Sequence, residues 1–171
     1  LNGTTNYILT EMEQGLSFDQ ALEQAQEFGY AEANPTSDIE GYDVRYKTAI
    51  LSHYVMGEKI SALDIPCEGI ANLTGDMIQS ALEEDKSWKL LARIRKTDDG
   101  IDARVAPEKI DANHPLAGVK GATNAILYEC DLSGPIMLTG AGAGLKETGF
   151  SLLIDMIHAH QVYQKNSSIV R

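Results

Sequence analysis

Apolar residues in the first half of the chain recur at helical spacing. In residues 4–15, Ile8, Leu9 and Met12 form a stripe and Gly15 supplies a stop. Ser17 opens a second helix, with Gln20 three residues on in a capping-box pattern. Leu22, Ala25 and Phe28 fall on one side of it, and Gly29 ends it. Residues 30–39 read as loop, because Pro35 drives Asn34 away from helical angles. A third helix is predicted from about residue 40 to 56, with Val44, Ile50, Leu51 and Val55 as its apolar positions and Gly57 as its end. A fourth, about 75–85, has Thr74 as cap and Ile78, Ala81 and Leu82 as inner face.

The period then changes. Trp88, Leu90, Ala92 and Ile94 alternate with Lys89, Leu91, Arg93 and Arg95, the pattern of a half-buried strand. Asp99-Gly100 is a hairpin signal, and Ile101, Ala103 and Val105 alternate beyond it. Residues 124–130 read as another strand, turned by Ser133-Gly134 into a strand at 136–140. A last helix, about 147–162, carries Phe150, Leu153, Ile154 and Ile157 on one face. Helices first and hairpins later predict an α+β fold, with a mixed, largely antiparallel sheet covered by helices. One domain is expected over residues 1–163, with a loose tail at 164–171.

Composition narrows the function classes. Fourteen basic residues stand against 25 acidic ones, a net charge of −11. That argues against nucleic acid, whose phosphates need a basic patch. No apolar run is long enough to cross a membrane, and no signal peptide is visible. The chain begins at Leu1 and reads as a piece of something longer. Cys67 and Cys130 are few and far apart, so reduced thiols and a cytoplasmic setting are expected. His53 reads as core or interface, and His114 lies in a loop. His158 and His160 are two apart on a helix and do not share a face, and neither cysteine has metal-ligand spacing. No metal is expected on this chain.

Candidate chemistry concentrates between Tyr30 and Lys47, in YAEANPTSDIEGYDVRYK. Glu32, Asp38 and Glu40 fall on the loop or at the helix start. Asp43 and Lys47 are four apart and share a helix face. A lysine among carboxylates could hold an amino-acid substrate and pass a proton to its oxygen. By spacing alone, the same pair is an ordinary surface couple worth roughly 0.2–0.5 kcal/mol. LNGTTN at residues 1–6 opens a helix, whose first N–H groups either receive an anion or are simply capped by Asn2 or Thr4. GAGAG at 140–144 follows a strand and precedes a helix, but Leu145 stands where a dinucleotide fingerprint needs its third glycine. It is read as a tight turn and not as the main cofactor site.

Four motifs in order, LNGTTNYIL, GYAEANPTSDIEGYDVRYK, HPLAGVKGATNAI and GPIMLTGAGAG, resemble homoserine dehydrogenase over nearly all 171 residues. The resemblance implies interconversion of L-homoserine and L-aspartate 4-semialdehyde with NAD or NADP, within threonine and methionine biosynthesis. It implies that Lys47 is the proton donor and that Asp43 binds substrate and positions that lysine. It makes Glu32 the receiver of the substrate ammonium, Asp38 a further acid of the site, and Gly3, Thr4 and Tyr30 neighbours of the substrate. Gly144 would touch the nicotinamide nucleotide. The cofactor would be bound mainly by a nucleotide-binding domain upstream of Leu1, where a monovalent-cation site is also expected. The resemblance further implies a homodimer, and a piece that alone turns over little. Asn34 stands where the family often has aspartate, which touches a peripheral acid only. Two other readings stay open at this point. One is a non-catalytic dimerisation or ligand-binding module on the same fold. The other is a nicotinamide oxidoreductase for a different small amino acid or aldehyde.

Overall fold

Helix α1 (Gly3–Glu13) is the element around which the chain is built. In the computed structural model, which describes residues 1–142 and 144–169, Asn2 caps this helix by accepting the Thr5 N–H at 2.8 Å. The predicted stripe of Ile8, Leu9 and Met12 is fully buried, and each such burial contributes about 1.5–3 kcal/mol. Helix α2 (Phe18–Glu27) follows with the predicted capping box of Ser17 and Gln20. It meets α1 through Ala21 and Ala25. Phe28 is not on that inner face. It is largely exposed and lies edge-on to the Tyr7 ring.

Residues 30–39 are not all loop. Thr36–Ile39 make one helical turn, α3. Pro35 denies helical angles to the residue before it but is well suited to start a turn itself. The Asn34 Oδ1 accepts the Thr36 hydroxyl at 2.7 Å. Gly41, at φ +78°, then breaks α3 from α4 (Tyr42–Met56). The inner face of α4 also differs from the predicted apolar set. Val44, Thr48 and Ser52 are buried, whereas Ile50 and Val55 are exposed, as is His53. The two hydroxyls turn inward because each is satisfied close by, Thr48 on the Val44 carbonyl at 2.7 Å and Ser52 on the Glu58 carbonyl at 3.0 Å. After a 3-10 turn at Ala62–Asp64, helix α5 (Gly75–Glu83) is capped by Thr74 as predicted. With Ile70 and Leu73 it closes the core beside α1.

Strands β1 (Lys86–Thr97) and β2 (Gly100–Asp111) form an antiparallel hairpin, and β3 (Thr123–Cys130) and β4 (Gly134–Ala141) form a second. These are two separate two-stranded sheets. An isolated parallel bridge joins Cys67 to Val105. The predicted α+β class holds. The polarity of β1 does not follow its alternation, however. Lys89 is 4% exposed while Trp88 is only half-buried. Trp88 and Leu90 pack on the core beneath α1 and α5, and Lys89 points the other way, under the segment that leads into β3.

Helix α6 (Leu145–Ile169) is longer than predicted at both ends. Its backbone stays helical where a loose tail was expected, since no glycine or proline interrupts residues 164–169. Residues 170–171 and Ala143 of the GAGAG motif lie outside the described residues. Phe150, Leu153 and Ile157 of the predicted apolar face are all exposed.

Candidate active site

Two chain segments distant in sequence meet at the N-terminus of α1. The Asn2 amide nitrogen donates to Asp38 Oδ1 at 2.6 Å and to Asp43 Oδ2 at 2.9 Å. Lys47 Nζ donates to the same Asp43 Oδ2 at 2.7 Å and to the Leu1 carbonyl at 3.1 Å. Asp38 comes from α3 and Asp43 and Lys47 from α4, with the Gly41 break between them. Four polar side chains therefore form one connected group. It remains open to solvent, the Lys47 and Asp43 side chains being 43% and 30% exposed.

The other predicted residues are tied to this group unevenly, and some not at all. Gly3 is the first residue of α1, and a Cβ there would lie 2.7 Å from the Ala122 carbonyl oxygen. Thr4 donates its hydroxyl to the Tyr30 carbonyl at 2.6 Å, tying the α1 start to the segment that carries Glu32. The Tyr30 ring packs 5.2 Å from that of Tyr7. Glu32 is exposed; its backbone carbonyl accepts from Gln26 at 3.0 Å. Its carboxylate makes no hydrogen bond or ion pair among the described residues, and so is free to take a cation. Glu40 contributes its backbone, accepting the Cys67 thiol at 3.4 Å. Gly144 stands apart. Its carbonyl accepts the Thr148 N–H at the head of α6, and nothing bonds it to the group around Lys47 among the described residues.

Asn2 is the member that sequence reasoning missed. It reads there as a helix cap, and nothing local shows that its amide nitrogen meets two acids 36 and 41 residues away. Neither of two cavities, of about 200 and 50 Å³, is lined by Glu32, Asp38, Asp43 or Lys47. The larger lies between β1 and β3.

The platform beneath the group is held from two sides. From below, the stretch 66–70 hydrogen-bonds β2 through Glu68 N to the Val105 carbonyl and Val105 N to the Pro66 carbonyl, each at 2.9 Å. The same stretch reaches α3 through Ile70 N to the Ile39 carbonyl at 2.8 Å. From the side, Asn6 donates to the Val119, Gly121 and Thr123 carbonyls. Lys89 Nζ donates to Asn6 Oδ1 at 2.8 Å and to the Val119 carbonyl at 2.6 Å.

Lys89 carries a pH prediction. Burial pushes its ammonium down to about 8 from an ordinary value near 10.5; the nearby Lys120 charge acts in the same direction and Glu13 opposes it. Between those two values the unfolded chain holds the proton and the folded chain does not. The contribution of Lys89 to stability is therefore lowest below pH 8 and rises towards pH 10.5, by about 3 kcal/mol at most. Urea unfolding of the native chain and a Lys89→Met variant at pH 7.5 and 9.5 checks this. The stability difference should move in favour of the native chain at the higher pH, and a difference independent of pH refutes it.

Comparison with known proteins places the chain in a family. The family model for homoserine dehydrogenase matches residues 1–157. The NAD(+)-dependent homoserine dehydrogenase of Pseudomonas canavaninivorans is 46% identical over 162 residues, covering 94% of this chain and 46% of that protein. A crystal structure of the S. aureus enzyme superposes with a TM-score of 0.86 at 34% identity, covering 94% of this chain and 41% of that one. A hyperthermophilic archaeal homoserine dehydrogenase mutant in complex with NADPH superposes with a TM-score of 0.71 at 29% identity, covering 94% of this chain and 45% of that one. The chain thus spans less than half the length of each of these proteins. With the motifs, the fold and the matched residues in agreement, the chain belongs to the homoserine dehydrogenase family.

Proposed function

We propose that residues 1–163 are the substrate-binding, catalytic and dimerisation domain of an NAD(P)-dependent homoserine dehydrogenase, interconverting L-homoserine and L-aspartate 4-semialdehyde. The observation that carries this reading is the half-exposed Lys47 ammonium, held by Asp43 and the Leu1 carbonyl and braced through Asn2 to Asp38. An ammonium held by acceptors on one side presents its remaining N–H to whatever lies in front of it.

The substrate is a zwitterion with a reacting oxygen at the far end. The unpaired Glu32 carboxylate suits its ammonium, and the N–H groups of the first turn of α1, at Gly3 and Thr4, suit its carboxylate. When bound, the nicotinamide supplies or accepts the hydride. Lys47 donates a proton to the oxygen as the aldehyde is reduced and takes it back in the reverse direction. Asp43 keeps the lysine aimed.

This chain offers little else to the cofactor. A Cβ at Gly144 would meet the Glu147 carboxylate at 2.1 Å, and an acid there repels a diphosphate. The segment suits at most an edge contact with the nicotinamide nucleotide, so the cofactor, NAD or NADP, is held chiefly by residues beyond this chain.

Dimerisation draws support from exposed apolar surface. Phe150, Leu153, Met156 and Ile157 on α6, and Ile136 and Leu138 on β4, are all exposed, and large exposed apolar patches mark interaction surfaces. No helix among the described residues is long and apolar enough to cross a membrane. Two free cysteines support a reducing, cytoplasmic setting.

The test is semialdehyde reduction by the full-length protein that carries this sequence, followed through nicotinamide absorbance. Glu32→Ala should raise KM for the semialdehyde, which carries the same ammonium, roughly 10- to 100-fold, the value of one charge-assisted hydrogen bond, with a smaller change in kcat. An unchanged KM would reject the ammonium assignment. Absence of any activity in the unaltered protein would reject the function.

A further inference from the structure

We propose that Asn2 is a positioning residue of this same site: its side-chain amide spans Asp38 and Asp43 and sets the approach of Asp43 to Lys47. The inference rests on the functional reading above and goes beyond it, since it assigns a role to a residue outside the substrate and proton-donor set.

The amide has only one workable orientation. Its oxygen accepts the Thr5 N–H at 2.8 Å, as a helix cap must. That turns the nitrogen towards the acids, where its two hydrogens meet two different carboxylates at 2.6 and 2.9 Å. The residue is 7% exposed, so water does not readily replace either contact. Capping alone would be served equally by serine, threonine or aspartate. Asparagine is the short side chain that adds two N–H donors to the capping oxygen.

The consequence for chemistry follows from the shared oxygen. Asp43 Oδ2 accepts from both Asn2 and Lys47. Without the amide, Asp43 is held only by a half-exposed ion pair, and pairs of that kind are worth little and wander. Asp38 and Asp43 would also face one another with no donor between them, and like charges at close range push apart. Asn2 removes both freedoms at once. It couples the first turn of α1 to the acid that aims the proton donor.

The experiment uses the full-length protein with Asn2→Ser, which keeps the cap and loses the two amide N–H donors that span the acids. We expect it to stay folded, with a melting temperature lower by roughly 10 °C at most. Its kcat should fall roughly 10- to 100-fold, as small misplacements of a proton donor do, with KM for homoserine changed less than threefold. A double-mutant cycle with Asp43→Asn separates this from simple loss of structure. If Asn2 acts through Asp43, adding Asn2→Ser to Asp43→Asn costs little more. Full additivity, or a single variant with kcat within twofold of native, overturns the proposal. A second measurement does not depend on turnover. The two Asn2 amide proton resonances should respond separately to Asp38→Asn and to Asp43→Asn. If neither moves, the bridge is absent and the proposal falls, whatever the enzyme catalyses. An unaltered protein without dehydrogenase activity, in which both resonances still respond, would instead overturn the functional reading and leave the bridge standing.

Discussion

Lys47→Ala in the full-length protein is expected to lower kcat for semialdehyde reduction by about 10²- to 10⁴-fold, the usual contribution of a positioned proton donor. The fold should survive. Lys47 is half-exposed and its partner contacts are Asp43 and one backbone carbonyl, so its removal should cost about 1 kcal/mol or less. Lys47→Arg sharpens the test. The guanidinium keeps the positive charge and can still pair with Asp43, but it does not release its proton in proteins. If proton transfer is the role, arginine should be nearly as inactive as alanine. Substantial activity in the arginine variant would leave Lys47 a mere electrostatic anchor, and near-native activity in the alanine variant would remove it from the site altogether.

The second large effect is structural. Gly69→Ala is expected to destabilise the fold by about 3 kcal/mol, at the upper end of overpacking. A Cβ at position 69 would lie 2.0 Å from the Ile39 carbonyl oxygen and 2.5 Å from the Glu40 Cα. Both are backbone atoms, so no side-chain rotation relieves the clash. The chain there is held on both sides, by Glu68 on β2 and by Ile70 on α3. One of those attachments has to give, and α3 carries Asp38. For a domain of this size the loss corresponds to a melting temperature lower by roughly 6–12 °C. Gly75→Ala is the control, since nothing lies within 4 Å of a Cβ at that position. Equal stability of the two variants would show that the 66–70 stretch yields easily and does not support the site.

Features set by near neighbours were legible in the sequence. The Ser17–Gln20 box, the Thr74 cap and both hairpins each depend on residues a few positions apart, and all form, although the first hairpin turns at Asp98-Asp99 and not at Asp99-Gly100, since Gly100 already pairs with Thr97. Asp43 and Lys47 meet as their spacing required. What escaped was polarity decided by distant partners. Lys89 looks like the solvent side of β1 until Asn6 and Val119, from α1 and from a later loop, supply acceptors for its buried ammonium. Thr48 and Ser52 look too polar for the inner face of α4 until their carbonyl partners are in place. The apolar residues of α6 lie on a helix as their spacing predicts, but nothing in that periodicity says whether this chain covers them. Each acid is visible on its own, Glu32 and Asp38 as carboxylates on the loop or at the helix start and Asp43 by its spacing from Lys47, whereas the amide that joins Asp38 to Asp43 depends on how α1 docks.

Gly41 does more than divide two helices. On an uninterrupted helix, residues 38 and 43 would point about 140° apart around the axis, too far for one short side chain to touch both. The left-handed step at φ +78° resets the rotation between the turns, and the two acids swing round to face a single amide. The interval of five residues is thus not itself the specification. What brings these acids together is a swivel, and a side chain placed on that swivel would pull the acids out of alignment without altering either of them.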